Sequence, residues 1–298
     1  GVVADFSLDA EDFEALVNEA TGTVADDDPA KDAGDLFGKW VPETLADAYA
    51  DDTPIEFLVD GLIPIPSLSI IYGGPGTLKS MLLADLAVCV AAGKIWLDTV
   101  PDDNLGGLSF VAKQAPVLWL DFDNGKQRTR QRMAALGRGH DLPGDAALHY
   151  ISMAMPWLNA SDNALVIEVA KYVKHGGYKL LIIDNLGLVN GGIEENSSEM
   201  AQVMGLLRWL SEEAECAVIV IHHQRKGAGA GQNDPGQRKG DTLRGHSTIE
   251  ASLDMALLVE RKGREDALLV VPTKVRDFHR FDFFGALWTF EHYPDNTG

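Results

Sequence analysis

The sequence predicts an α/β fold: a mostly parallel central sheet flanked by helices, with an antiparallel extension at the C-terminal end. Three observations predict it. From about residue 57 onward, uninterrupted apolar runs of strand length alternate with helix-length segments, as expected for strands buried on both faces. A glycine-rich turn joins one such run to a helix at residues 73–80. Asp123, Asp184 and His222 fall at the ends of later runs, where open parallel sheets collect their ligands.

Taken in order, residues 1–56 read as an acidic N-terminal arm or docking segment, and residues 57–298 as the folded domain. Residues 1–60 hold 17 Asp/Glu against Lys31 and Lys39, a net −15 in a chain of formal charge −20. The overall acidity therefore describes the arm more than the body, and a local basic loop in the body can still meet phosphate. Two amphipathic helices are expected in the arm, one near its start and one around residues 40–49. Its apolar surface is too small to order it alone. It reads either as a docking site for a partner, such as a replication protein, or as a solubilising tail. Cys89 and Cys216 sit inside apolar runs without metal-type spacing, which predicts core thiols in a reducing compartment and no zinc ribbon. The longest apolar stretch, residues 81–93, is interrupted by Asp85 and too short to span a bilayer, and the N-terminus has no basic, apolar leader. The expectation is a cytoplasmic protein with no membrane partner.

A lead-in hairpin is expected at residues 57–66, followed by strands near residues 68–73, 116–122, 148–153, 179–184 and 217–221. Helices are expected at 81–92, 126–138, 163–174 and 198–213. Runs at 255–260, 267–273 and 285–290, separated by turns such as Lys262-Gly263, predict the antiparallel extension. Between them lies a Gly-rich stretch, residues 224–245, with Arg225, Lys226, Arg238, Lys239 and Arg244 against Asp234 and Asp241, a net +3. An irregular connection of this length is usually functional.

The turn carries the first chemical signal. Gly73, Gly74, Pro75, Gly76, Thr77, Leu78, Lys79, Ser80 and Met81 join an apolar strand to an apolar helix. Glycines let successive backbone N–H groups face phosphate oxygens, Lys79 reaches the β/γ-phosphates, and the Ser80 hydroxyl ligates Mg²⁺. Gly73, Lys79 and Ser80 fit the spacing G-x-x-x-x-G-K-[ST], with Leu78 where the pattern has its second glycine. ATP and Mg²⁺ are the expected ligands. Asp184, closing Leu-Leu-Ile-Ile-Asp, is placed to hold Mg²⁺ through water. Asp123, in Asp-Phe-Asp-Asn-Gly, is the candidate to polarise the attacking water, with Asp121 as the alternative. His222 and His223 end a strand where they can sense the γ-phosphate, or serve as core or capping histidines.

Together these residues resemble the RecA-fold ATPases, and within them the hexameric helicases, including plasmid replication helicases of the RepA type and replicative helicases of the DnaB and phage T7 kind. The resemblance covers residues 57–290. It rests on Gly-Gly-Pro-Gly-Thr-Leu-Lys-Ser (73–80), Leu-Leu-Ile-Ile-Asp (180–184), Ile-His-His-Gln-Arg-Lys-Gly (221–227), Leu-Arg-Gly-His-Ser (243–247) and Thr-Lys-Val-Arg (273–276). It implies a RecA-like P-loop NTPase core and places Lys274 and Arg276 as a Lys-x-Arg pair that reaches the neighbouring subunit's γ-phosphate. Where the family usually has Glu, this chain has Asp123.

Three functions are compatible with this reading. The first is an ATP-driven motor in a hexameric ring on single-stranded DNA, a replicative helicase whose 224–245 loops line a channel; six copies would concentrate on the order of twenty positive charges there. The second is a RecA-fold ATPase acting as a protein-binding switch or recombinase-like regulator without unwinding. The third is a small-molecule kinase, which the long basic loop and the Lys-x-Arg pair disfavour.

Overall fold

The computed structural model describes residues 40–50, 53–97, 110–223, 243, 246–262, 267–276 and 283–288. The chain divides into two compact units, Gly1–Pro54 and Ile55–Gly298. In the first, the described part is one short helix, α1 (Leu45–Ala50), with no buried residue. It starts later than its apolar pattern suggests, because Thr44 and Asp47 form a reciprocal cap. The Thr44 N–H donates to Asp47 Oδ2 at 2.8 Å, and the Asp47 N–H donates to Thr44 Oγ1 at 3.2 Å. The helix expected nearer the start lies outside the described residues, as do Arg225, Lys226, Arg238, Lys239 and Arg244.

The second unit opens on a hairpin, β1 (Glu56–Val59) and β2 (Ile63–Ile65), then β3 (Ser67–Gly73) and α2 (Lys79–Ala92). A short pairing of β4 (Ile95–Trp96) with β5 (Phe110–Val111) follows, then β6 (Val117–Asp121), α3 (Lys126–Gly139) and β7 (Leu148–Ser152). Next come α4 (Asn163–His175), β8 (Leu180–Asp184), α5 (Leu186–Val189), α6 (Met200–Glu213) and β9 (Ala217–His223). The last described elements are α7 (His246–Ala251), β10 (Met255–Lys262), β11 (Ala267–Val275) and β12 (Phe284–Leu287).

Eight strands form one sheet in the order β12-β11-β10-β3-β9-β8-β6-β7. Side-chain alternation divides its apolar residues between two cores. Ile71, Trp119, Ile182, Ile219 and Leu257 pack with α2 and α3 on one face. Ile70, Leu118, Ile183, Val220 and Leu258 pack with α4 and α6 on the other. Helix α2 is buried almost all round, and its Asp85 pairs with His140 at the end of α3 (Oδ1 to Nε2, 2.7 Å).

One strand direction differs from the expected pattern. β10 pairs parallel with β3, with Val259 level with Gly73, and only β11 and β12 are antiparallel additions. The turn at Lys262-Gly263 reports the β10–β11 hairpin and is silent on how β10 meets β3. That direction is set by Asp254: its N–H donates to Leu68 O at 2.9 Å and its Oδ2 accepts the Leu68 N–H at 2.8 Å. Arg208 also contacts this carboxylate.

Candidate active site

The glycine-rich turn leaves the carboxyl end of β3 and enters α2, between the ends of β9 and β10. Gly73 is required by close approach, since a Cβ there would lie 2.3 Å from the Val259 carbonyl oxygen. Gly76 takes φ +74°, which favours glycine. Leu78 adopts φ 59° and ψ 23°, a left-handed conformation in a non-glycine residue. The position where the phosphate-loop pattern has glycine thus needs a glycine-like backbone, and Leu78 adopts it at a cost in strain. Its side chain packs against the α2 core.

Lys79 is 6% exposed. Its Nζ donates to Gly73 O at 3.1 Å and Gly74 O at 2.9 Å, with Thr77 Oγ1 at 3.4 Å. Burial pushes its ammonium down to about 8, against the attraction of Asp184 and Asp123. Thr77 Oγ1 closes the loop by donating to Gly74 O at 2.9 Å.

Asp121 and Asp184 stand side by side at the carboxyl ends of β6 and β8. Their environments are opposite. Burial drives the Asp184 carboxyl up to about 6, the carboxylates of Asp123 and Asp121 push the same way, and hydrogen bonds from Ser80 and Asn124 oppose them. A buried carboxylate joined to the Ser80 hydroxyl is a donor set for a hard cation, and both residues fit Mg²⁺. Burial would also raise Asp121, which is fully buried, but its hydrogen bonds outweigh burial and hold it below the usual carboxylate range. Its Oδ2 accepts from Thr129 Oγ1 (2.5 Å) and Ser152 Oγ (2.7 Å). Its Oδ1 accepts from the Asn124 N–H and Nδ2 (both 2.9 Å) and from the Asp123 N–H (3.2 Å). Asp123 itself is exposed, yet its charge is felt by both Lys79 and Asp184.

Three contributors escaped the sequence reading. Asn124 Nδ2 bridges the two buried carboxylates, donating to Asp121 Oδ1 and to Asp184 Oδ2 at 3.0 Å. Ser152 ends β7 in register with Asp121, so the strand-end rule that marked Asp184 also marks it. Arg261, on β10 beyond Val259, brings Nη1 to 3.5 Å from Gly76 O.

His222 is fully buried, with Nε2 3.9 Å from Glu195 Oε2 in the loop before α6. His223 is half-buried and level with Gly73. Lys274 and Arg276 are remote from the turn. Lys274 is in register with Ala256, itself level with Ile70, which places it roughly 14 Å from Gly73 across two strand spacings and three residue rises. Lys274 Nζ donates to the Glu250 and Ala251 carbonyls, and Arg276 Nη2 donates to Ala251 O at 2.7 Å.

A family profile described as an AAA domain matches residues 40–229, well over half of the 298-residue chain. The chain belongs to the AAA domain family. Among solved structures, this AAA domain superposes on another protein's ATPase domain with a TM-score of 0.55 at 12% identity, over 88% of this chain and 95% of that one. It superposes on the RadB recombinase with a TM-score of 0.51 at 14% identity, over 75% and 87%. These likenesses show the RecA-like fold, and the chain is a RecA-like P-loop ATPase domain. Among the described residues, no helix is long and apolar enough to cross a membrane.

Proposed function

We propose that this AAA domain is the ATP-hydrolysing motor of a replicative helicase, acting on single-stranded DNA as a head-to-tail ring of six subunits in the cytoplasm. The observation that carries this reading is the separation of Lys274 and Arg276 from the chain's own phosphate turn. Two cations held roughly 14 Å from that turn, level with the amino end of β10, serve a phosphate only when a second subunit brings one, and repetition of that contact closes a ring. The two structural neighbours, one an ATPase domain and the other the RadB recombinase, agree with a nucleotide-driven assembly of this fold.

Within one subunit the residues divide the work. The turn from Gly73 to Met81 holds the phosphates of ATP with its N–H groups, and Lys79 balances their charge. Ser80 and Asp184 hold Mg²⁺, which supplies charge neutralisation at the transferred phosphoryl group. Asp123 orients a water and accepts its proton, while Asp121 and Asn124 fix the loop that carries Asp123. Arg276 and Lys274 stabilise charge on the neighbour's γ-phosphoryl group, and His222 relays the site's state through Glu195. Arg225, Lys226, Arg238, Lys239 and Arg244 contact DNA phosphates in the channel. The acidic arm, residues 1–56, docks a replication protein, and residues 57–298 are the motor.

The test is a mixing experiment with single-stranded DNA present. Lys79→Ala and Arg276→Ala each lose turnover alone, and mixed rings regain part of it where intact halves meet. Hydrolysis that DNA fails to stimulate, together with no recovery at any mixing ratio in preparations shown to exchange subunits, would favour the protein-switch reading instead.

A further inference from the structure

A second basic surface lies on α3 and the edge strand β7, built from residues outside the 224–245 stretch. Helix α3 carries Lys126, Arg128, Arg130, Arg132 and Arg138 and no acidic residue, in a chain of net charge −20. Lys126 and Arg128 occupy its first turn, where the helix dipole favours carboxylates and opposes cations. Lys126, Arg128 and Arg130 are exposed, and among the described residues no carboxylate lies within ion-pairing distance of any of them. Like charges on one turn of a helix repel one another, and a bound anion would relieve that repulsion.

The same helix face forms one wall of a groove. Lys126 and Arg130 are one turn apart, as are Gln127 and Gln131, and across from them stand Tyr150 and Ser152 of β7. The groove is open, about 740 Å³ in volume, and no carboxylate lines it. Tyr150 is 39% exposed, an aromatic face in a basic, amide-lined channel. Its floor is joined to the active site, because Ser152 of the groove and Thr129 of α3 both donate to Asp121.

We infer that this groove binds single-stranded nucleic acid, with phosphates on Lys126 and Arg130, a base stacked on Tyr150, and base edges hydrogen-bonded by Gln127 and Gln131. Cations tracking the backbone beside an aromatic platform are what sequence-tolerant strand binding uses. An acidic peptide would need the cations alone. The inference rests on the single-stranded DNA reading above and adds contact residues beyond those of the 224–245 stretch.

Fluorescence anisotropy of a labelled oligothymidine, titrated with the full chain at several salt concentrations, tests it. Lys126→Ala/Arg130→Ala should weaken binding at least about five-fold at low salt and make the salt slope shallower by about 1.4, two single-strand phosphate contacts. Tyr150→Ala should weaken binding about five- to hundred-fold with the slope unchanged, and Tyr150→Phe should restore it. All three changes are at exposed side chains, and circular dichroism checks the fold. If the wild-type chain binds and the groove variants bind alike with the same slope, the groove is overturned and the motor reading stands. If the wild-type chain does not bind, both fall. If the double variant keeps oligothymidine but loses a synthetic peptide of residues 1–39, the surface belongs to the acidic segment and the inference is overturned.

Discussion

Asp121→Asn and Asp123→Asn should separate stability from turnover. Asp121 is fully buried and accepts five hydrogen bonds. The Thr129 and Ser152 hydroxyls can turn to serve as acceptors for an amide NH₂, but the N–H groups of Asp123 and Asn124 and the Asn124 amide cannot. Hydrogen bonds to a charged acceptor contribute about 1.5–3 kcal/mol each and neutral ones about 1, so removing the charge behind these three fixed donors costs on the order of 2–4 kcal/mol. For a domain of this size that lowers Tm by roughly 5–15 °C. The pH dependence follows from the depressed carboxyl. Its stabilisation is present above the ordinary unfolded value, about 3.9, and is lost as pH falls through the lower folded value, so the gap between wild type and Asp121→Asn closes in acid. Asp123→Asn, at an exposed position, should melt close to the wild type at pH 7 and bind ATP without hydrolysing it. Thermal melts from pH 3 to 8, with a steady-state ATPase assay on the same preparations, decide the matter. An Asp121→Asn protein that melts normally and has lost turnover would refute the division of roles and move the catalytic base to Asp121.

Substitutions at two further positions probe the turn and the candidate cation site. Leu78→Gly and Leu78→Ala both remove the packed side chain, but only glycine relaxes the left-handed backbone, so Leu78→Gly should be more stable by about 1 kcal/mol in urea titrations. Equal midpoints would show that this position is unstrained. Asp184 has the opposite pH signature to Asp121: with its folded value raised to about 6, its contribution is present below about pH 4 and lost as pH rises through 6. Without Mg²⁺, Asp184→Asn should therefore match the wild type at pH 4 and exceed it at pH 8 by up to on the order of 2–3 kcal/mol, with no Mg²⁺-dependent turnover. A variant equally stable at both pH values relative to wild type would contradict the burial argument.

Much of this site is written in local sequence. The strand before the glycine turn, the apolar helix after it, and the aspartate closing Leu-Leu-Ile-Ile-Asp are short-range patterns of period and spacing, and the backbone obeys them: β3, α2 and β8 stand within one or two residues of the expected bounds. Even the departure at Leu78 is informative, because the pattern's glycine reports a dihedral angle, and the structure puts that angle in the left-handed region. What spacing cannot report is which of two neighbouring aspartates is saturated with donors. Asp121 and Asp123 are two residues apart on one turn, and their difference comes from Thr129 on a helix and Ser152 on the next strand.

Local sequence was enough to place the strand and helix segments, the glycine-rich turn before Lys79 and Ser80, and the aspartates at strand ends, since each is a property of a dozen consecutive residues or fewer. Long-range packing was needed to show that β10 enters parallel beside β3, that Asn124 bridges Asp121 to Asp184, and that Lys274 and Arg276 turn toward the end of α7 instead of the glycine-rich turn. The physical reason is the same in each case. These features depend on pairs of groups brought together from distant parts of the chain, through strand register and burial, and no local pattern of apolar and polar residues encodes which distant partner a donor or a strand edge will meet.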